Sequence, residues 1–279
     1  MTEMPRMVFC DLDGTLLDSD KKMSDRTRRA LRVLARCGIG FVPSTGRSVV
    51  GIPREVIELS GACYAITADG ATVCRLTSDG HVDLRVSTIP QDAVIGLLNL
   101  VDPSPSYIDL FSEGEAYVER GKMRKLDSFG LLPGDVAYIR SVRHEIDVTL
   151  ADFVAEGRPV ERLTVFYADE AIRDAVYDYL QERGDLACYT SQRRNIEITS
   201  ATASKGSALL WLCDHLGISA GETIAFGDSL NDVSMLREAG VGVAMTNAEE
   251  RVRRQANDVT HLTNNESGVA EYLERFLPA

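Results

Sequence analysis

The sequence is poor in positive charge, in paired cysteines and in long apolar runs, and each shortage removes a class of function. Its 30 Lys+Arg stand against 42 Asp+Glu in 279 residues, a formal net charge of −12 with a pI near 4.9. Such a chain is repelled by a polyanion at long range, which argues against binding nucleic acid or an anionic membrane surface. No stretch approaches the roughly 18 consecutive apolar residues of a membrane span. Residues 1–9 lack the apolar core of a signal peptide, so the expected location is cytoplasmic. The 6 cysteines, Cys10, Cys37, Cys63, Cys74, Cys188 and Cys213, form no CxxC pair and no metal-like spacing. They read as free thiols of a reducing compartment rather than as disulfides. His81, His144, His215 and His261 are equally dispersed. Internal repeats and low-complexity tracts are absent.

What is present is an ordinary globular composition, 44% hydrophobic and 26% charged, which supplies substantial cores and excludes disordered and collagen-like classes. At roughly 150 residues per domain the length suggests about two domains. The apolar pattern alternates from the start. Met7–Cys10 reads as a buried strand, Ser24 as the cap of a helix carrying Ala30, Leu31, Leu34 and Cys37, and residues 39–43 as a second strand. A helix over residues 48–59 and a strand at Tyr64–Thr67 complete a βαβαβ beginning, which implies a parallel sheet with helices on both faces. From about residue 86 to 194 the texture is mixed α+β, with hairpin-type turns at Asp69-Gly70 and Asp79-Gly80 leading into it. Strict alternation returns afterwards, with helices at residues 204–216, 230–239 and 248–256 and strands at residues 223–226 and Val241–Ala244. The expected architecture is therefore an α/β, doubly wound, mostly parallel Rossmann-like core over residues 1–85 and 195–279, interrupted by an inserted α+β domain over residues 86–194.

Polar residues gather where the core strands end. Asp11-Leu12-Asp13-Gly14-Thr15-Leu16 follows the first strand, and ligands of open α/β sheets bind just beyond the carboxyl ends of strands. Neighbouring carboxylates there repel one another unless a cation or partner offsets them. Gly227-Asp228-Ser229-Leu230-Asn231-Asp232 follows another apolar strand and opens a helix. Asp11, Asp13, Asp228 and Asp232 together form an oxygen-rich set suited to a hard cation, Mg2+ before Zn2+. Ser44-Thr45-Gly46-Arg47 ends the second strand, where a hydroxyl followed by glycine can hold a phosphoryl oxygen. Lys205-Gly206 supplies a cation at the start of a helix.

These four elements, in this order, resemble the motifs of the haloacid dehalogenase superfamily of phosphohydrolases. The long insertion, the TGR segment and the NIEIT…SKGSALL run are similar to its Cof-type, subclass IIB branch of sugar-phosphate phosphatases. The resemblance implies Asp11 as nucleophile forming an aspartyl-phosphate and Asp13 as general acid and then base. It implies Mg2+ held by the Asp11 carboxylate, the Asp13 backbone carbonyl and the Asp228 carboxylate. Thr45 and Lys205 would hold the transferring oxygens, with Gly46 and Arg47 beside them, while Asn231 and Asp232 would complete the phosphate and metal shells. An acid at position 13, where phosphorylated ion pumps of the superfamily carry threonine, favours a phosphatase or a mutase. The implied substrate is a small phosphorylated metabolite: sugar phosphates first, pyridoxal phosphate or flavin mononucleotide next. A phosphomutase and a catalytically idle binding module on the same fold are the alternatives, and a monomer or homodimer is expected. The inserted domain would act as a cap, with Glu113, Glu115, Tyr117, Lys122, Arg124, Arg193 and Arg194 as its polar candidates. One departure stands out: the branch usually has Asn-Gly-Ala after the third strand, where this chain has Asp69-Gly70-Ala71.

Overall fold

Runs of four or five apolar residues, each ending on a polar loop, build the first layer. The computed structural model describes residues 4–192 and 194–277. Strands β1 (Met7–Cys10), β2 (Gly40–Pro43) and β3 (Tyr64–Thr67) are separated by helices at Asp25–Arg36 and Arg54–Ser60. Val8, Phe9 and Cys10 have no exposed surface, as strands covered on both faces require. Ser24 caps the first helix, its hydroxyl accepting from Thr27 N at 3.0 Å. The helix expected over residues 48–59 is broken at Pro53, which lacks the amide to continue it: a 3-10 turn at Val49–Gly51 precedes the helix. The turn Ala68–Gly70 leads into a hairpin, β4 (Thr72–Thr77) and β5 (Gly80–Val86), with β3 and β4 antiparallel.

The chain then leaves this layer for β6 (Tyr107–Ser112), β7 (Glu115–Glu119), β8 (His144–Ile146), β9 (Arg162–Phe166), β10 (Leu186–Tyr189) and β11 (Asn195–Ser200). It returns as β12 (Thr223–Gly227), β13 (Val241–Ala244) and β14 (Asp258–Val259). The first sheet has the order β14-β13-β12-β1-β2, parallel throughout. The α/β, doubly wound class read from the sequence is thus the observed one. No helix among the described residues is long and apolar enough to cross a membrane.

Two compact units result. One comprises Met1–Arg47, Ile52–Arg85 and Ser204–Ala279, the other Ser48–Gly51 and Val86–Ala203. The second crossing therefore falls at Ala203–Ser204, not at 195. The cause is β11, which pairs antiparallel with both β9 and β10 in the inserted sheet. Its period-2 pattern sends Ile196 and Ile198 to an apolar cluster with Leu163, Val165, Leu97 and Phe153. The opposite row carries Asn195, Glu197 and Thr199.

That opposite face of the inserted sheet is unusually polar for its burial. Asp109 and Arg143 form an ion pair at 2.9 Å with side chains 0% and 4% exposed, and Tyr107 donates its hydroxyl to the same carboxylate oxygen at 3.0 Å. Arg162 pairs with Glu197 at 3.6 Å. The Phe111 ring lies under both guanidiniums, 4.1 Å from Arg162 and 4.9 Å from Arg143, a cation–π arrangement at each.

A tight backbone contact in the first unit involves Gly70, whose φ is +93° and whose missing Cβ would stand 2.2 Å from the Ser204 carbonyl carbon. Gly70→Ala therefore combines left-handed strain with a collision against backbone that has nowhere to move. Urea denaturation of this variant is expected to show a loss of about 2–4 kcal/mol; a midpoint equal to that of the native protein contradicts the packing described.

Candidate active site

The register of the parallel sheet decides which side chains meet. Cys10 stands opposite Phe226 and Pro43, so the chain leaves β1, β12 and β2 at the same edge. The Asp11 amide donates to the Phe226 carbonyl at 3.0 Å, holding the first acid beside Gly227-Asp228. Gly14, with φ at +79°, lets the loop pass against Asp228: a Cβ there would lie 2.5 Å from the carboxylate. Thr15 donates to Asp228 Oδ1 at 2.8 Å and Ser229 to Oδ2 at 3.2 Å.

Lys205 is the centre of the cluster. Its side chain is fully buried, and Nζ lies 2.6 Å from Asp11 Oδ1 and 2.6 Å from Asp232 Oδ1. Burial alone would lower the lysine pKa, but the charges of Asp11, Asp232 and Asp69 overcome it and raise the pKa. Ser204 positions this lysine by capping its helix reciprocally with Ser207. The second oxygen of Asp232 accepts from the amides of Asp228 and Ser229, both at 2.9 Å. Both Asp232 oxygens are thus committed to holding the lysine and the loop after β12.

Asp11, Asp228 and Asp232 each offer an oxygen within 4.8 Å of the others, a group able to hold a metal ion. Burial pushes the Asp11 pKa well above its ordinary value; Lys205 works against the rise, and the negative charges of Asp232, Asp228 and Asp13 add to it. Asp228 is pushed to about 7, by burial first and by Asp232 second. A divalent cation among hard carboxylate oxygens is the natural offset for this excess of negative charge.

The structure separates the Asp13 carboxylate from that group. Arg47 grips it with Nε and Nη2, each at 2.7 Å, and Lys21 approaches Oδ1 at 2.9 Å. Burial would raise the Asp13 pKa, but these hydrogen bonds and charges hold it at about 2. Thr45 is buried at the end of β2, where its hydroxyl accepts from the Arg47 amide at 3.1 Å. Asn231 donates to Asp69 Oδ1 at 2.8 Å. Three contributors went unassigned in the sequence. Thr15 lay inside a recognised segment without a role of its own, Lys21 carried no local signal, and the Asp69–Asn231 contact joins two segments far apart in the chain. In the inserted unit, Glu115 meets His144 at 2.8 Å and Glu113 meets Arg158 at 3.4 Å; Arg193 lies outside the described residues.

A carboxylate cluster at the carboxyl edge of a doubly wound parallel sheet belongs to the class of α/β enzymes that work at strand ends. Residues 8–273 match the model of haloacid dehalogenase-like hydrolases, and the chain belongs to that family. It is 32% identical to phosphatase YwpJ of Bacillus subtilis, with 98% of this chain and 100% of that protein covered. It is 27% identical to the 5-amino-6-(5-phospho-D-ribitylamino)uracil phosphatase YcsE of the same organism, over 98% of this chain and 96% of the relative. A solved haloacid dehalogenase-like hydrolase from B. subtilis superposes with a TM-score of 0.83 at 31% identity, covering 98% of this chain and 100% of that one. The chain is an enzyme of the hydrolase class with phosphatases among its relatives, and the Cof-type branch is consistent with these likenesses.

The raised Asp228 pKa has a measurable consequence in metal-free protein. Its folded value of about 7 exceeds its ordinary value of 3.8, so the folded protein keeps a proton that the unfolded chain has lost. Stability from this group is greatest at low pH and falls as pH rises from about 4 to about 7. In chelator, Asp228→Asn is therefore expected to be more stable than the native protein above pH 7, with the difference shrinking toward pH 4.5. Added divalent cation should raise the melting temperature of the native protein only. A pH-independent difference, or equal stabilisation of both proteins by the cation, contradicts the assignment.

Proposed function

We propose that this phosphatase is Mg2+-dependent and hydrolyses small phosphorylated metabolites, sugar phosphates first, through an aspartyl-phosphate on Asp11. The observation that carries the reading is the pairing of buried Asp11 with buried Lys205 at 2.6 Å, at a strand end shared with Asp228. A carboxylate so placed has its charge partner supplied and one face committed, which orients the other oxygen as a nucleophile. The donor set is all hard oxygen and short of positive charge, which fits Mg2+. The Asp11 and Asp228 carboxylates and the Asp13 backbone carbonyl would hold the ion, with Asp232 completing its surroundings. When bound, the ion supplies charge neutralisation that lets an anionic nucleophile approach an anionic phosphoryl group.

An Asp11 oxygen attacks phosphorus in line as the bond to the leaving oxygen breaks, and Asp13 gives that oxygen its proton. Asp13 then takes a proton from water, which attacks the aspartyl-phosphate, releases inorganic phosphate and restores Asp11. The Asp13 pairing with Arg47 and Lys21 favours the carboxylate form. A phosphoryl anion competing for those cations would raise its pKa toward the acid form needed for the first step. Thr45 and the Gly46 and Arg47 backbone would hold phosphoryl oxygens, with Lys205 balancing their charge. The inserted unit is assigned the recognition of the leaving group. The relative named for a phosphoribitylamino uracil supports a small, phosphorylated, hydroxyl-bearing substrate; pyridoxal phosphate and flavin mononucleotide are the next candidates. A cytoplasmic monomer or homodimer is consistent with this chemistry.

Phosphate release over some dozens of phosphorylated metabolites with Mg2+ tests the reading. Asp11→Asn keeps the shape and removes the nucleophile, and is expected to lose at least about a thousandfold in kcat. Metal-dependent turnover retained in that variant refutes the mechanism. Conversion of a hexose phosphate into an isomer, with no phosphate released, identifies a mutase instead. Silence across the whole panel favours the idle-module alternative.

A further inference from the structure

The loop after β1 carries Asp11, Asp13 and Thr15, and asparagines of two other loops hold it from outside. Asn247, in the loop after β13, donates Nδ2 to the Gly14 carbonyl at 2.8 Å. Asn264, in the loop after β14, donates Nδ2 to the Leu17 carbonyl at 2.9 Å, and Asn265 accepts from the Ser19 amide at 2.9 Å. The two outer loops are tied to each other, because the Asn264 backbone amide donates to Asn247 Oδ1 at 3.0 Å. Each is also anchored on its own side. Asn264 opens a 3-10 turn in which Thr263 and Glu266 cap one another reciprocally. The Thr246 amide donates to Thr260 Oγ1 at 3.0 Å, and the Thr246 carbonyl accepts from Arg253 Nη1 at 2.8 Å.

Asn247 is exposed, yet both ends of its amide are committed. A backbone N–H can only donate and a carbonyl can only accept, so the Asn264 amide and the Gly14 carbonyl together dictate which way the Asn247 amide faces. The point that it grips is where the loop after β1 holds itself least. Gly14 has φ at +79° and no side chain, so rotation of the peptide that follows it meets little steric resistance. Inside the loop the Thr15 amide reaches the Leu12 carbonyl only at 3.4 Å, beyond the usual range for N–H···O. Because a peptide is planar, fixing the Gly14 carbonyl also fixes the Thr15 N–H and the direction in which Thr15 leaves it. The Thr15 hydroxyl in turn donates to Asp228 Oδ1 at 2.8 Å. A chain of contacts thus runs from Asn247 through one peptide to the Asp228 carboxylate.

We propose that Asn247 is a positioning residue for the cation site: by holding the Gly14 carbonyl it sets the spacing between the Asp13 backbone carbonyl and the Asp228 carboxylate. It touches neither the ion nor the substrate. A small, hard cation with near-octahedral demands tolerates little error in the spacing of its oxygens. Outer hydrogen-bonding partners that orient such oxygens therefore bear on affinity although they make no bond to the ion. The cation part of this inference rests on the Mg2+-dependent phosphatase reading; the attachment of the loop does not.

Two variants of the full chain separate the ends of the amide. Asn247→Ala removes both, whereas Asn247→Asp keeps the acceptor for Asn264 and sets an oxygen against the Gly14 carbonyl. Hydrogen exchange in chelator reads the attachment without any ion. The Asn264 amide is expected to be protected in the native protein and in Asn247→Asp but not in Asn247→Ala, while the Leu17 amide exchanges faster in both variants. Calorimetric titration with MgCl2 reads the site itself: Kd is expected to rise about tenfold in both variants and to stay within about twofold in Asn265→Ala, whose contact is with Ser19. In phosphate release from 4-nitrophenyl phosphate, the Mg2+ concentration giving half the maximal rate should rise by the same factor, with kcat at saturating Mg2+ within about twofold of native. Asn247→Asp adds a negative charge, which by itself attracts a cation, so weaker binding in that variant separates positioning from charge. Unchanged Mg2+ affinity in Asn247→Ala, tighter binding in Asn247→Asp, or an equal loss in Asn265→Ala overturns the proposal, as does a fall in kcat with the Mg2+ dependence unaltered. A native protein that binds no Mg2+ and releases no phosphate overturns the phosphatase reading and the cation assignment with it, while the exchange of the Asn264 and Leu17 amides still decides the attachment of the loop.

Discussion

The site is organised around an ammonium group that has no contact with water. Placing Lys205 and its two carboxylates in the interior costs several kcal/mol per ion, and only short, simultaneous contacts recover that cost. Those contacts are available because three separate features converge on one point: the end of β1 brings Asp11, the turn after β12 brings Asp232, and a capped helix start brings the lysine. Moving any one of them leaves a buried charge unmatched. The positions of Asp228, the Asp69 turn and the Thr45 loop follow from the same constraint, since each is hydrogen-bonded to, or packed against, one of these three.

The electrostatics divide the acids into two populations. Asp11 and Asp228 resist losing their protons because they are buried and then because other negative charges surround them, whereas Asp13 lies between Arg47 and Lys21 and loses its proton readily. Acids in adjacent positions with opposite pKa displacement have different chemical capacities. The division arises from geometry: Leu12 between the two acids is fully buried and turns them to different surroundings. The inserted unit solves its own charge problem differently. There Asp109 with Arg143 and Glu197 with Arg162 are matched pair by pair around Phe111.

Most of the core was legible because its strands are short apolar runs with polar residues at one end only, and because the helix at 25–36 has an unmistakable cap in Ser24 and stop at Gly38. The carboxylate cluster was legible for the same reason: strand ends are where side chains of distant segments meet. The boundary at residue 195 was misplaced because NIEIT runs directly into the lysine segment in sequence, while its strand pairing belongs to residues thirty positions earlier, about one βα unit away. The helix at Pro133–Val142 was not recognised, having only Asp135 and Ile139 buried and hence little amphipathic signal. The contact between Asp69 and Asn231 could not be inferred from composition or spacing, because it depends on a hairpin turn and a 3-10 turn docking against each other.

The central pairing of the first sheet joins Met7 to Thr223 across the whole inserted unit. On a ribosome adding about 5–20 residues per second, β1 waits roughly ten to forty seconds for its inner neighbour to emerge. During that interval β1 has only β2 to pair with, and its other edge, made of Val8, Phe9 and Cys10, has no partner strand. Such an edge is an invitation to intermolecular pairing. The inserted unit, whose strands are contiguous in the chain, can fold while the core is still waiting, so the order of maturation runs from the middle of the polypeptide outward and the catalytic cluster is assembled last.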